Sequence, residues 1–182
     1  MRPRFLAVLL AGLVVLAACG SDDSSAASFN DADVMFLQSM IPHHEQAVEM
    51  AEIALDPASN AGPKVRDLAT RVRSAQDGEI STMKGWLQGW GKPTTMDMSD
   101  GHDMSSMTGM MSAGDMQALD AATGADFDRM WLRMMVAHHE GALDMARAVR
   151  TDGRNDDVEA LATRVITAQE AEIAEMKPLL AS

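Results

Sequence analysis

The chain has 182 residues, a formal charge of -12 at pH 7 and 47% hydrophobic residues, which suffices for one globular domain with flanking segments. Such an acidic chain is unsuited to nucleic acid, because phosphate backbones are neutralised by lysine and arginine. With a single cysteine, the sequence also excludes an intrachain disulfide.

The chain begins with the pattern of a bacterial lipoprotein signal. Two arginines and a short apolar run precede the sequence Leu-Ala-Ala-Cys, which resembles a lipobox and ends at Cys19. The run is too short to span a membrane permanently. We therefore predict a signal peptide over 1–18, lipidation of Cys19 and a flexible tether over 19–30. A protein processed in this way is exported and anchored to the outer face of the cell membrane or held in the periplasm. A buried structural thiol is the alternative for Cys19.

Four helices follow, and no segment alternates polar and apolar residues as a strand would. Their predicted ranges are about 31–55, about 63 to just before 91, about 115 or 125 to 149, and about 155–180. The short turns within each pair make antiparallel hairpins, which bury their apolar faces by packing on each other. The prediction is an all-α antiparallel four-helix bundle over 31–182, with a linker at about 92–114.

The two hairpins are near copies of each other. MIPHHEQAVEMA begins at Met40 and MVAHHEGALDMA begins at Met135, and the segments 68–84 and 161–177 match in the same way. The chain is thus a tandem duplication of a helix–helix unit, and each copy carries a doubled histidine.

Helical periodicity places the histidines on the buried side of their helices. The second histidine of each pair, His44 or His139, falls at the centre of the apolar arc, and the first, His43 or His138, falls at its edge. Buried imidazoles are expensive unless they are paired or bound to a ligand.

The second and fourth helices add polar groups to the same layer. Glu79 lies within the apolar stripe of the second helix, as Glu172 does in the fourth. Counting from the turn puts His44 level with Gln76, and Met40 level with Glu79. One cross-section of the bundle is therefore expected to hold imidazoles, carboxylates and thioethers.

These residues are candidate metal ligands, since the same costly polar set occurs twice. A hydrogen-bonded core histidine, a buried His44–Glu79 ion pair and gap-filling methionines are the alternatives. The candidates within the helices are Met40, His43, His44, Met50, Glu79, Met83, Met134, Met135, His138, His139, Met145, Glu172 and Met176.

The linker between the hairpins is rich in methionine and almost free of other apolar residues. Thioethers are soft ligands that favour monovalent copper, for which silver is a chemical mimic. Oxidation-scavenging methionines in a low-complexity insert are the alternative. The candidate linker ligands are Met96, Met98, His102, Met104, Met107, Met110 and Met111.

Copper fits this ligand set better than other metals. Calcium and magnesium prefer more oxygen ligands, and structural zinc favours thiolates and imidazoles, whereas no thiolate is left once Cys19 is lipidated. A di-iron bundle needs Glu-x-x-His on two helices, whereas Met40 and Met135 stand three residues before the first histidines. We therefore expect Cu(I), with Cu(II) as a possible second form.

The doubled HH motif, with its methionine and alanine spacing, resembles the bacterial domain-of-unknown-function family three hundred and five over about 31–180. The resemblance implies a ferritin-like four-helix bundle and CopM-like copper binding outside the cytoplasm. By motif it assigns the ligand role to Met40, His43, His44, Met50, Met135, His138, His139 and Met145.

Together these features predict an extracytoplasmic copper-binding lipoprotein that sequesters or transfers copper, mainly Cu(I), in copper tolerance or homeostasis. Its expected partners are copper ions and, through Cys19, a membrane; nucleic acid is not expected. No enzymatic activity is expected. A redox-active bundle metalloenzyme and a metal-free structural or interaction module remain the alternatives.

Overall fold

A computed structural model describes residues 28–96 and 107–181. The described chain forms α1 (Asp31–Leu55), a short 3-10 turn (Pro57–Ser59), α2 (Pro63–Gly89), α3 (Ala113–Ala121), α4 (Gly124–Asp152) and α5 (Asp156–Leu180). The predicted signal peptide, Cys19 and most of the tether lie outside the described residues. Within the described ranges, no helix is both long and apolar enough to cross a membrane.

Local sequence signals explain where the helices begin. The Asn30 side chain accepts a hydrogen bond from the Asp33 backbone, and the Asp33 carboxylate accepts one from the Asn30 backbone, which completes a capping box for α1. Pro63 starts α2, where its missing N–H costs nothing. Asn155 caps α5 by accepting from two backbone N–H groups of the first turn.

The helices pack as two antiparallel hairpins, α1 with α2 and α4 with α5, which meet mainly through α1 and α4. The Asn30 side chain donates to the Asp152 backbone oxygen at 2.8 Å, so the start of α1 lies against the end of α4. An Arg71–Glu175 ion pair joins α2 to α5. The structure confirms the predicted all-α bundle of two duplicated hairpins.

The segment leading into the second hairpin differs from the prediction. The sequence suggests a single third helix, whereas the structure has two, α3 and α4. Ser112 caps α3 in a capping box, and the break before α4 places Gly124 at φ +60°. Leu119 of α3 is fully buried, so α3 packs against the bundle as a separate element.

The apolar core divides into two clusters, one towards each end of the bundle. The first core cluster holds the second half of α1, the first half of α2, the first half of α4 and the end of α5. The second core cluster holds the complementary halves of the same four helices. The doubled histidines of α1 and α4 lie between the two clusters, at mid-bundle.

Two aspartates at equivalent positions of the copies tie the hairpins together. The fully buried Asp33 carboxylate of α1 accepts hydrogen bonds from the backbones of Arg154 and Asn155, in the turn of the other hairpin. Asp128 of α4 accepts one from the Gly62 backbone at 3.0 Å, in the turn of the first hairpin. These reciprocal bonds fix the register of α1 against α4, and with it the position of the histidines.

Candidate metal centre

All four helical histidines are completely buried. His43 and His44 of α1, and His138 and His139 of α4, each have 0% exposure. Burial was expected for the second histidine of each pair, whereas the first was placed at the edge of the apolar arc. That edge is buried as well because α1 and α4 pack on each other there and a loop before α3 covers the contact.

The first histidines of the two copies contact each other across the α1–α4 interface. The ring centroids of His43 and His138 lie 3.8 Å apart with an interplanar angle of 38°. Both nitrogens of each ring are buried and lack a hydrogen-bond partner within the described part of the chain. Because buried polar groups are nearly always paired, this juxtaposition makes the two rings a candidate metal site.

The loop that covers this contact, the segment 107–111, lies directly against α4 and is called the covering loop. Thr108 and Gly109 approach Gly141 so closely that a Cβ there would lie 2.1 Å from the Thr108 backbone oxygen. The Thr108 backbone also faces the His43 ring, without a hydrogen bond of normal geometry. The loop therefore helps to exclude water from the two rings.

Burial keeps both rings neutral. It lowers the pKa of His43 from 6.5 to about 3, helped by the nearby His44 and His139 and opposed by the Thr108 backbone. Burial is also the main cause that lowers the pKa of His138 well below its usual value. A neutral imidazole keeps a lone pair on one nitrogen, which is the form that binds a metal ion.

The second histidines each pair with a glutamate of their own hairpin. His44 Nε2 lies 2.8 Å from Glu79 Oε2, and His139 Nε2 lies 2.6 Å from Glu172 Oε2. The Nδ1 atoms of both rings remain buried and unpartnered within the described residues. Each second histidine thus has one nitrogen oriented by a carboxylate and one nitrogen unused.

The His44–Glu79 pair, which the sequence leaves open as an alternative, is present, although His44 is predicted level with Gln76 and not with Glu79. Side chains of a helix tilt towards its N-terminus, so in an antiparallel pair they lean towards each other. His44 leans back towards the level of Met40, and Glu79 leans back towards the level of Gln76, which brings the two together. Gln76 is buried too, and its Oε1 has no partner in the described chain.

The helical methionines flank the histidine layer on both sides. In the first core cluster Met50, Met135 and Met176 are fully buried and Met134 packs against them partly buried; in the second, Met40 and Met83 are fully buried and Met145 packs partly buried. Methionines of both copies thus contribute to each cluster. Across residues 28–96 and 107–181, no group of three or more His, Cys, Asp or Glu side chains converges to hold a metal ion.

The two described ends of the linker lie against α1. The Ser39 hydroxyl donates to Met96 Sδ at 3.5 Å, and the Gln46 carboxamide binds the backbone of Met111. The side chains of Met107, Met110 and Met111 are partly buried. The remaining candidates, Met98, His102 and Met104, lie outside the described residues.

Gln46 and Gly141 were not singled out from the sequence, although a signal was available. They occupy the same position of the two copies, in HHEQ and HHEG, and form one of five differences between the two motifs. The structure shows that both contact the covering loop. A departure from the repeat therefore marked where a third segment packs.

Solved structures of several proteins share this fold. A DUF305 fragment from Deinococcus radiodurans is 30% identical with a TM-score of 0.74, over 84% of this chain and 97% of that one. A DUF305 protein of Streptomyces coelicolor, presumed to be secreted, is 31% identical with a TM-score of 0.73, over 82% and 91%.

CopM is also similar and has been solved with metals bound. Its Cu(II)-bound form is 34% identical with a TM-score of 0.68, over 82% of this chain and 95% of that one, and Cu(I)- and silver-bound forms match as well. No curated protein matches the sequence significantly. The model of the family named domain of unknown function (DUF305) matches residues 33–180. The chain therefore belongs to the DUF305 family.

Proposed function

We propose that this protein is an extracytoplasmic copper-binding lipoprotein, anchored through Cys19, that sequesters or transfers copper in copper tolerance or homeostasis. One observation carries the proposal, namely the contact of the His43 and His138 rings with all their nitrogens buried and unpartnered in the described chain. The solved structures of CopM bound to Cu(I), Cu(II) and silver support the choice of metal.

This arrangement costs free energy in the metal-free protein. A buried polar group left unsatisfied costs about 1–3 kcal/mol, and the histidine layer contains several. An apolar side chain of similar volume would avoid that cost at His43 and His138. A bound cation gives the nitrogens a partner, so relief of this cost adds to the free energy of metal binding.

The second histidines suit the same role. In metal sites, a carboxylate that accepts from one ring nitrogen orients the imidazole and increases the basicity of the other. Glu79 is placed to do this for His44, and Glu172 for His139. The unpartnered Nδ1 atoms would then serve as ligands.

Soft ligands favour Cu(I) over the harder cations. The histidine layer lies between clusters that contain buried methionines, and the linker sequence holds more methionines. We assign the linker the role of a loose collector and the helical layer that of a firmer site. Binding and release without chemical turnover is the activity we assign to the protein.

Anaerobic Cu(I) titration of the mature chain against a competing chelator tests the proposal. His43→Leu with His138→Leu should weaken binding strongly, and His102→Leu, in the linker, serves as the matched control that leaves interior binding intact. Unchanged affinity of the double variant would reject the interior site. Binding no tighter than that of a free methionine peptide would reject the function, and oxygen consumption by the copper-loaded protein would favour a redox enzyme.

A further inference from the structure

We propose that Gln46 and Gly141 clamp the covering loop, the segment 107–111, over the His43–His138 pair. Opening of this clamp then sets the rate at which metal enters and leaves. The proposal rests on the function proposed above, and it adds a kinetic control to that site. The residues of the clamp contact the covering segment; neither needs to contact the metal.

Gln46 binds the segment through both polar atoms of its carboxamide. Its Nε2 donates to the Met111 backbone oxygen at 2.9 Å, and its Oε1 accepts from the Met111 backbone N–H at 2.7 Å. The side chain thus satisfies a backbone donor and a backbone acceptor of one residue, which fixes the orientation of the chain at that point. The contact joins α1 to the end of the covering segment.

Gly141 admits the same segment on the α4 side. A Cβ at Gly141 would lie 2.1 Å from the Thr108 backbone oxygen and 2.8 Å from Gly109 Cα, which are distances that real atoms do not occupy. Gly109 has φ +84°, and a Cβ there would lie 2.9 Å from the Ala137 oxygen. Backbone therefore lies on backbone, and only glycine at both positions allows it.

The clamp spans the interface that holds the histidine pair. Gln46 follows His43 on α1, and Gly141 follows His138 on α4, at the same position of each copy. One copy thus supplies a long side chain that holds the segment, and the other supplies the space into which the segment packs. The two rings between them have 0% exposure, so an ion reaches them only after some covering group moves.

The arrangement makes a kinetic prediction. Weakening the clamp lowers the barrier for both entry and release, because the same opening serves both. Association and dissociation rates should therefore rise together, while the dissociation constant changes little. A residue with a merely structural role would instead lower the melting temperature without changing the accessibility of the rings in the folded protein.

Gln46→Ala is the decisive variant, and Gln38→Ala is its control. Gln38 also lies on α1, and its side chain donates to the Pro93 backbone oxygen at 2.8 Å, at the other described end of the linker. In the metal-free protein, the modification of individual histidines by diethyl pyrocarbonate is followed by mass spectrometry. Gln46→Ala should accelerate modification of His43 and His138 about tenfold, since two hydrogen bonds are lost; Gln38→Ala should leave it unchanged.

Gly141→Ala is the second variant, and circular dichroism verifies that it remains helical. We expect faster modification in this variant too, and faster transfer of Cu(I) from the loaded protein to a chelator, with little change in affinity. Equal modification rates in Gln46→Ala and the unchanged protein would overturn the clamp. Because this readout needs no metal, it is independent of the copper titration, whose failure would reject the proposed function alone.

Discussion

The rings of His43 and His138 lie in contact, with centroids 3.8 Å apart, and their four buried nitrogens make no hydrogen bond of normal geometry in the described chain, although the Thr108 backbone faces the His43 ring and the His43 backbone faces the His138 ring. Two polar rings are thus held together by the packing of α1 on α4 and by the loop that covers them. In the metal-free protein we expect this contact to oppose folding, because buried polar atoms without partners are costly. The site is therefore a place where stability and function are expected to conflict.

The first prediction follows from this conflict. His43→Leu with His138→Leu should stabilise the metal-free protein by about 1–3 kcal/mol while abolishing interior copper binding, since unsatisfied nitrogens are replaced by apolar atoms. Urea unfolding of the metal-free protein measures the change. His44→Leu is the comparison, because it also removes the ion pair with Glu79 and should bring no such gain. Destabilisation by the double variant would show that the rings contribute to packing in a way that leucine cannot replace.

The second prediction concerns the pH dependence of the metal-free protein. The pKa of His43 falls from 6.5 to about 3 on folding, and the pKa of His138 falls as well. Below pH 6.5 the unfolded chain therefore binds protons at these two histidines that the folded chain does not bind. The free energy of unfolding is unaffected by them above pH 6.5 and decreases as the pH falls from 6.5 towards 3. The melting temperature should therefore decline as the pH is lowered from 7.5 to 5. This window lies above the usual carboxyl pKa values.

The His43→Leu, His138→Leu variant serves as the control for that measurement. Its melting temperature should depend less on pH over the same window, because the two shifted groups are gone. If the unchanged protein and the variant lose stability in parallel, other groups cause the decline and the two rings are not kept neutral as described.

The fold could be predicted largely because the sequence repeats itself. Periodicity located the helices of each hairpin, and the duplication showed that both hairpins are built alike. The break that separates α3 from α4 was missed, since the nine residues of α3 bury one large side chain, Leu119, and lack a repeating apolar face of their own. The capping box of Ser112 and Asp115 is the sequence signal that marks the start of α3.

The candidate site could be predicted in composition but not in detail. The sequence identified the histidines, the glutamates and the methionines, yet it could not show that His43 contacts His138. That contact depends on the register of α1 against α4, which is set by Asp33 and Asp128 binding the turns of the opposite hairpins. Long-range backbone hydrogen bonds of this kind leave no periodic signal in a single sequence.

The third prediction tests this role of Asp33. Its buried carboxylate accepts from the backbones of Asn30, Arg154 and Asn155. Asp33→Ala leaves these donors unsatisfied and should lower the free energy of unfolding by about 3 kcal/mol. Exposed Asp31 is the matched control, and Asp31→Ala should change stability by roughly 0.5 kcal/mol or less. Urea unfolding distinguishes the two, and equal effects would mean that the Asp33 bonds contribute little.

The fourth prediction separates the linker from the helical layer. Leucine keeps the volume and apolar character of methionine but has no sulfur, so replacement of the linker methionines removes ligands without adding charge. We expect a lower Cu(I) stoichiometry in anaerobic titration, while the tightest binding remains because His43 and His138 are unchanged. Met35→Leu, at a side chain that is 61% exposed on α1, is the control and should not alter stoichiometry. The linker variant combines leucine at Met96, Met98, Met104, Met107, Met110 and Met111.

Oxidation of the same linker variant tests the alternative that the linker methionines are scavengers and not copper ligands. If the linker methionines act as scavengers, the stoichiometry stays unchanged, and peroxide treatment modifies the helical methionines sooner in the variant than in the unchanged protein. Mass spectrometry of the treated chains resolves this, with Met83 and Met176 as reporters because both are fully buried in the core. A ligand role predicts a different result, with fewer bound ions and an unchanged oxidation rate of Met83 and Met176. Their protection then comes from burial in a fold that the linker substitutions leave intact.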